Sequence, residues 1–262
     1  MQRSGAAAIG WRLHEHGQHR SVCKMTNEQA EKLLRAACEF QGKGKAAREK
    51  CREEYRRKET NEENILRVLI DDQIGLLAEK VTKKVGATNP AISYQIGVSA
   101  SFIRTHFLIS DFILNGDLVE AIVLTCKQLE SLARLHELDS KPLLKLAGKV
   151  PNIQNILKGP AGRMYGDLSE VAHVSTPRVA ELLHVVERGE LVGPSLLPVY
   201  AERSGACFDM SCFVAVYFIA WLVEKLPAWY PGYDNTEDIQ LLGQSVMVAL
   251  DCGVLRKPEG SD

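Results

Sequence analysis

Apolar positions at Leu33, Leu34, Ala37 and Phe40 recur at helical spacing behind Thr26 and Asn27, either of which can cap a helix start. Gly42 and Gly44 are expected to break or fray that helix. The period is clearer behind Thr60 and Asn61, where Ile65, Leu66, Leu69, Ile70, Ile74, Leu77 and Val81 repeat every 3.6 residues. Pro90 suits the first turn of a third helix, and Asn115-Gly116 reads as its C-terminal cap. Asp117 opens a fourth helix with Leu118, Ile122, Cys126, Leu129, Leu132 and Ala133 on its apolar side. Pro142 and Pro151 mark two short helical pieces, residues 158–163 read as a loop, and a helix carrying Tyr165 follows. Thr176-Pro177 starts another short helix that ends near His184.

The stretch 185–203, with Gly189, Gly193, Pro194 and Pro198, is the least helical of the chain and suits one small hairpin or extended segment near 185–200. Phe208 to Leu226 is a very apolar helix that Pro227, Pro231 and Gly232 are expected to end, and a last helix runs from Thr236 to Leu250. Long helices with mostly short connections predict an all-α fold, a multi-helix bundle. The expected organisation is a segment 1–24 that is disordered or untranslated, with Met25 as the initiator, then a charged helical arm over 25–60. The bundle follows over 61–255, with a frayed tail at 256–262.

The net charge of −1 gives no global field toward nucleic acid or acidic lipid, so any such role needs a local patch. Residues 43–58 supply one: eight Lys/Arg stand against three Glu, either as a basic arm for RNA or DNA or as a solvated helix laced by Glu53–Arg57 and Glu54–Lys58 pairs. The seven cysteines are odd in number and lack any Cys-x2-Cys pair, which fits reduced thiols in a cytoplasmic protein. The longest apolar run, Cys212 to Val223, is too short to span a bilayer and reads as a core helix, so no membrane partner is expected. No Walker or Gly-x-Gly-x-x-Gly pattern is present; His14, His16 and His19 are close together but fall in the segment expected to be disordered or untranslated, and Cys207 and Cys212, five apart, have no second Cys/His pair at zinc spacing. No cofactor or metal is therefore expected.

The sharpest chemical pattern is Tyr165, Ser169 and His173, three polar residues four apart on one side of a helix. The helix at 117–137 carries Lys127, Glu130 and Arg134 at i, i+3 and i+7. If the two helices pack together, Glu130 can orient His173 for acid–base chemistry near neutral pH, with Ser169 one turn away. The same residues can instead form a satisfied polar seam that fixes helix register. Arg104 and Asp111 share a face and offer either a phosphate-binding arginine with its carboxylate partner or a plain salt bridge.

With Asn115-Gly-Asp-Leu-Val-Glu-Ala121, Lys127-x2-Glu130 and Leu168-Ser-Glu-Val-Ala-His173, the chain resembles a bacterial HEPN-like helical-bundle family over about residues 95–225. The hallmark of that family reads Tyr-x2-Leu-Ser-x3-His. The resemblance implies a small dimeric bundle and, in active members, a metal-independent endoribonuclease of toxin–antitoxin or phage-defence type with an Arg-x4–6-His signature. Arg163 precedes His173 by ten residues and departs from that spacing, whereas Arg178–His184 and Arg12–His19 fit it.

The sequence therefore points first to an interaction module whose polar seam is built from Lys127, Glu130, Tyr165, Ser169 and His173, with RNA or a protein as partner and a homodimer as its assembly. Arg104, Lys127, Arg134 and Arg163 are the expected partner- or substrate-binding cations. The alternatives are a metal-independent ribonuclease using His173, with Ser169, Tyr165 and Glu130 around it, or else Arg178 and His184, and a nucleic-acid binder using residues 43–58.

Overall fold

The structure is a computed structural model that describes residues 26–82, 89–157, 159–175, 182–183, 185–188 and 191–256. Its helices are α1 (Asn27–Lys58), α2 (Asn61–Val81), α3 (Pro90–Asn115), α4 (Leu118–Ser140), α5 (Leu143–Leu146), α6 (Ile153–Ile156) and α7 (Pro160–Ala172). A hairpin, β1 (Val185–Arg188) and β2 (Leu191–Pro194), precedes α8 (Arg203–Trp229) and α9 (Thr236–Asp251). The fold is an all-α multi-helix bundle with one antiparallel hairpin, in the register Val185↔Pro194. The expected helix at 176–184, the segment 1–24 and most of the tail lie outside the described residues.

The chain divides into two compact units at Gln41/Gly42, a boundary that falls inside α1. The first is a capped helical stretch. The Thr26 hydroxyl accepts from the Gln29 N–H at 3.2 Å and the Gln29 side chain accepts from the Thr26 N–H at 3.0 Å. Its apolar residues Leu33, Leu34 and Phe40 are exposed.

In the second unit, residues 42–58 are not an appended arm. Cys51 and Tyr55 are buried, and Tyr55 belongs to the hydrophobic core. Gly42 and Gly44 do not break α1 either; the helix runs through both, although glycine costs roughly 1 kcal/mol inside a helix.

The core is made by α2, α3, α4 and α8, whose fully buried side chains include Ile74, Phe102, Leu132 and Phe218. Phe102 and Phe218 stack with ring centroids 3.9 Å apart. Thr60 and Glu63 form a capping box that starts α2, and Asn89 caps α3 with Pro90 in the first turn. Helix α7 begins at Pro160, inside the segment expected to be a loop, because proline is well placed at a helix start and Gly159 takes φ +74° ahead of it.

Helix α8 continues through Pro227 to Trp229 rather than ending at the proline. A proline there leaves the Val223 carbonyl without its helical donor. The Asn235 side chain supplies the replacement, donating to that carbonyl at 3.1 Å. By length and composition α8 is long and apolar enough to cross a bilayer, unlike the 12-residue run within it, yet 72% of its most apolar window is buried inside the protein.

A candidate binding groove beside the basic helix

The polar pattern on α7 is only partly assembled. Helices α4 and α7 do pack together, and the Tyr165 hydroxyl donates to Glu130 Oε1 at 3.1 Å. Burial first, and the Glu130 carboxylate second, push the Tyr165 hydroxyl up to about 12. Ser169 turns back on its own helix and donates to the Gly166 carbonyl at 2.9 Å. His173 is the C-cap of α7 and is exposed, and its side chain has no hydrogen bond or ion pair among the described residues. Glu130 therefore orients Tyr165, not His173.

The expected binding cations separate in the same way. Lys127, Arg163 and Arg104 are exposed. Arg134 is buried and structural: it donates to the Leu146 carbonyl at 3.3 Å and to the Lys149 carbonyl, and its Nη1 stands 3.2 Å from Glu137 Oε2 in an ion pair not aligned as a hydrogen bond. Arginine at that position ties the chain after α4 back to the helix and is closed to a ligand. Asp111 does not pair with Arg104; its partner is Arg52 at 3.2 Å. Arg12, His19, Arg178 and His184 lie outside the described residues.

A buried polar site that sequence reading passed over lies between α2, α3 and α8. His106 is 2% exposed, and its Nε2 is 2.7 Å from Asp71 Oδ1 while Nδ1 has no partner. Arg67 beside it is held by both oxygens of Glu59, at 2.9 and 3.1 Å. Burial pushes the Cys212 thiol well up and raises the Tyr55 hydroxyl as well. The cleft these residues line admits only about 10 Å³ of water-sized space, room for one water and no substrate.

The wider concavity is a groove of 580 Å³ between the second half of α1 and the extended segment 195–200. That volume lies in the range of ligand and peptide sites. Ala46, Ala47 and Cys51 form its wall on α1, and Leu197, Pro198, Val199 and Tyr200 form the other. Lys43 and Lys50 stand at its edge, seven residues and therefore two turns apart on one side of the helix. Both are exposed and have no ion pair among the described residues.

Local chemistry explains this sorting of charge. Two arginines of the basic segment point to the turn between α3 and α4: Arg48 Nε donates to Asp117 Oδ2 at 2.8 Å, and Arg52 Nε donates to Asn115 Oδ1 at 2.6 Å. Gly116, at φ +77°, caps α3 in the left-handed region, and a Cβ on it would meet Cys51 Sγ at 3.0 Å and the Val199 carbonyl at 3.1 Å. The bare glycine lets the turn, α1 and the 195–200 segment meet closely. On the far wall, Tyr55 and Tyr200 make an edge contact at 6.4 Å, and the Lys58 ammonium sits 5.2 Å over the Tyr200 ring. Of the i,i+4 pairs expected on α1, neither Glu53–Arg57 nor Glu54–Lys58 forms; Arg57 pairs with Glu54 one turn back, at 2.5 Å.

The i,i+7 spacing of Lys43 and Lys50 was legible in the sequence once charges were sorted by helix side. The facing segment, about 150 residues later, gave no local signal. No family model, no curated protein and no solved structure matches this chain.

Proposed function

We propose that this chain is an interaction module that works by binding rather than catalysis, and that the groove between α1 and residues 195–200 is its binding face. The observation that carries the reading is a 580 Å³ apolar groove with lysines on its rim that have no ion pair among the described residues. Apolar concavities with a few converging polar groups are where proteins receive ligands and peptides. The polar residues that could have supported acid–base chemistry argue the same way: Glu130 is engaged by Tyr165, Ser169 by its own helix, and the His173 side chain, at a helix end, has no partner among the described residues.

The HEPN-like resemblance and its dimeric, RNA-directed relatives remain compatible with a binding role, since inactive relatives of such nucleases keep the bundle without the chemistry. The test is to pan a random peptide library on the full chain and on an Ala46→Trp variant, which fills the groove from an exposed helical position. Peptides enriched on the parent and lost on a folded Ala46→Trp protein are the expected result. Enrichment that ignores the substitution moves the binding face elsewhere.

A further inference from the structure

We propose that the occupant of this groove is an acidic, amphipathic peptide segment of a partner protein, an inference that rests on the groove being the binding face. The groove presents two kinds of surface. Its walls are apolar, from Ala46, Ala47, Leu197 and Val199, and reward burial of leucine- or valine-sized side chains. Its rim on α1 carries Lys43 and Lys50, about 10 Å apart along the axis, both solvated and unpaired among the described residues. A partner that buries aliphatic side chains and places carboxylates beside those two ammoniums meets both surfaces at once. Such rim pairs set specificity and association rate more than bulk affinity.

Nucleic acid fits the same helix less well. Single-stranded RNA or DNA needs a continuous cationic track and open ring faces for stacking. Of the eight basic residues at 43–58, Arg48, Arg52 and Arg57 are committed to Asp117, Asp111 and Glu54. The ring of Tyr200 is covered by Lys58 and met by the edge of Tyr55. An apolar wall offers a phosphodiester nothing.

The experiment uses the full chain and three synthetic fluorescein-labelled peptides of one pattern, with leucines on one face and either glutamate, glutamine or lysine along the flank, read by fluorescence anisotropy. A labelled single-stranded RNA is the fourth probe. The glutamate peptide is expected to bind at least tenfold more tightly than the lysine peptide, with the glutamine peptide between. The double variant Lys43→Glu/Lys50→Glu should reverse that order, and Ala46→Trp should weaken all three. Circular dichroism on each variant confirms that the fold is kept; both lysines are exposed, so their reversal leaves the core intact.

Equal binding of the three peptides, lost in Ala46→Trp, overturns the acidic partner while the groove reading stands. Peptide binding that Ala46→Trp does not touch overturns both. RNA binding that exceeds that of the glutamate peptide and falls in Lys43→Glu/Lys50→Glu alone overturns the peptide and makes the basic helix a nucleic-acid face.

Discussion

Tyr165 reaches across from α7 and donates its hydroxyl proton to Glu130 on α4 at 3.1 Å, while His173, at the end of the same helix, meets neither residue. The two therefore respond oppositely to truncation. Tyr165→Phe removes one hydrogen bond from a half-buried carboxylate and should cost about 1 kcal/mol. His173→Ala removes an exposed side chain and should stay within about 0.5 kcal/mol of the parent. Urea midpoints of the two variants decide it, and a His173→Ala loss equal to or larger than that of Tyr165→Phe would restore the histidine to the seam.

Arg134 was expected to face a ligand and instead ties α4 to the short helices after it. Its charge is buried beside Glu137, itself 3% exposed. Arg134→Met leaves two carbonyls without a donor and the Glu137 carboxylate with only Lys141 at 3.5 Å and the Asn152 N–H at 3.4 Å, which should destabilise by about 3–5 kcal/mol. The double variant Arg134→Met/Glu137→Gln should recover part of that loss, because the buried carboxylate that lost its nearer cation is gone. A double variant no more stable than Arg134→Met would mean that the carbonyl bonds, not the ion pair, carry the effect.

What the sequence disclosed followed from local rules, and what it hid was non-local. The helix start at Thr60, the cap at Gly116 and the apolar period of α2 all act within a few residues, so pattern alone located them. Pro227 misled for a related reason. The rule that proline ends a helix assumes an orphaned carbonyl, and here Asn235, beyond the helix end, satisfies it. The polar quartet on α4 and α7 was read as one site because its members share sides of their helices, yet α7 ends at Ala172, so His173 leaves the row at the cap. The groove needed both the helix side on which each cation of residues 43–58 falls and the return of residues 195–200 to that side. Only the first of these is written in local spacing.

Burial sets how the thiols and Tyr165 behave in base. It pushes Cys126 and Cys207 up to about 11 from an ordinary 9.0, and Tyr165 to about 12 from 10.0. In each case the fold favours the protonated form. The associated stability is fully present below pH 9 and is lost as pH rises through 9 to 12. Thermal midpoints should accordingly hold steady to about pH 8.5 and fall above it. In maleimide labelling at pH 7.5, Cys38 is exposed and should react first, with Cys126, Cys207 and Cys212 protected until unfolding. Labelling of Cys207 as fast as Cys38 would show that α8 is not packed as described.

Two glycines, one within α1 and one in the turn packed against Cys51 and Val199, should answer alanine with opposite signs. Gly42 lies within α1, exposed, with nothing within 4 Å of an added Cβ. Gly42→Ala should stabilise the helix by about 0.5–1 kcal/mol by restricting the unfolded chain. Gly116 stands at φ +77°, where an L side chain costs about 1–2 kcal/mol, and its new methyl would press on Cys51 Sγ and the Val199 carbonyl. Neither neighbour is the loose end of a long side chain, so relief requires α1 or the 195–200 segment to move. Gly116→Ala should therefore lose stability and also weaken groove-directed peptides, while Gly42→Ala gains stability and leaves their binding unchanged. Denaturation curves and peptide anisotropy on the same two proteins separate the effects. A Gly116→Ala protein that is destabilised yet binds peptides as tightly as the parent would show that the turn supports the fold without shaping the groove.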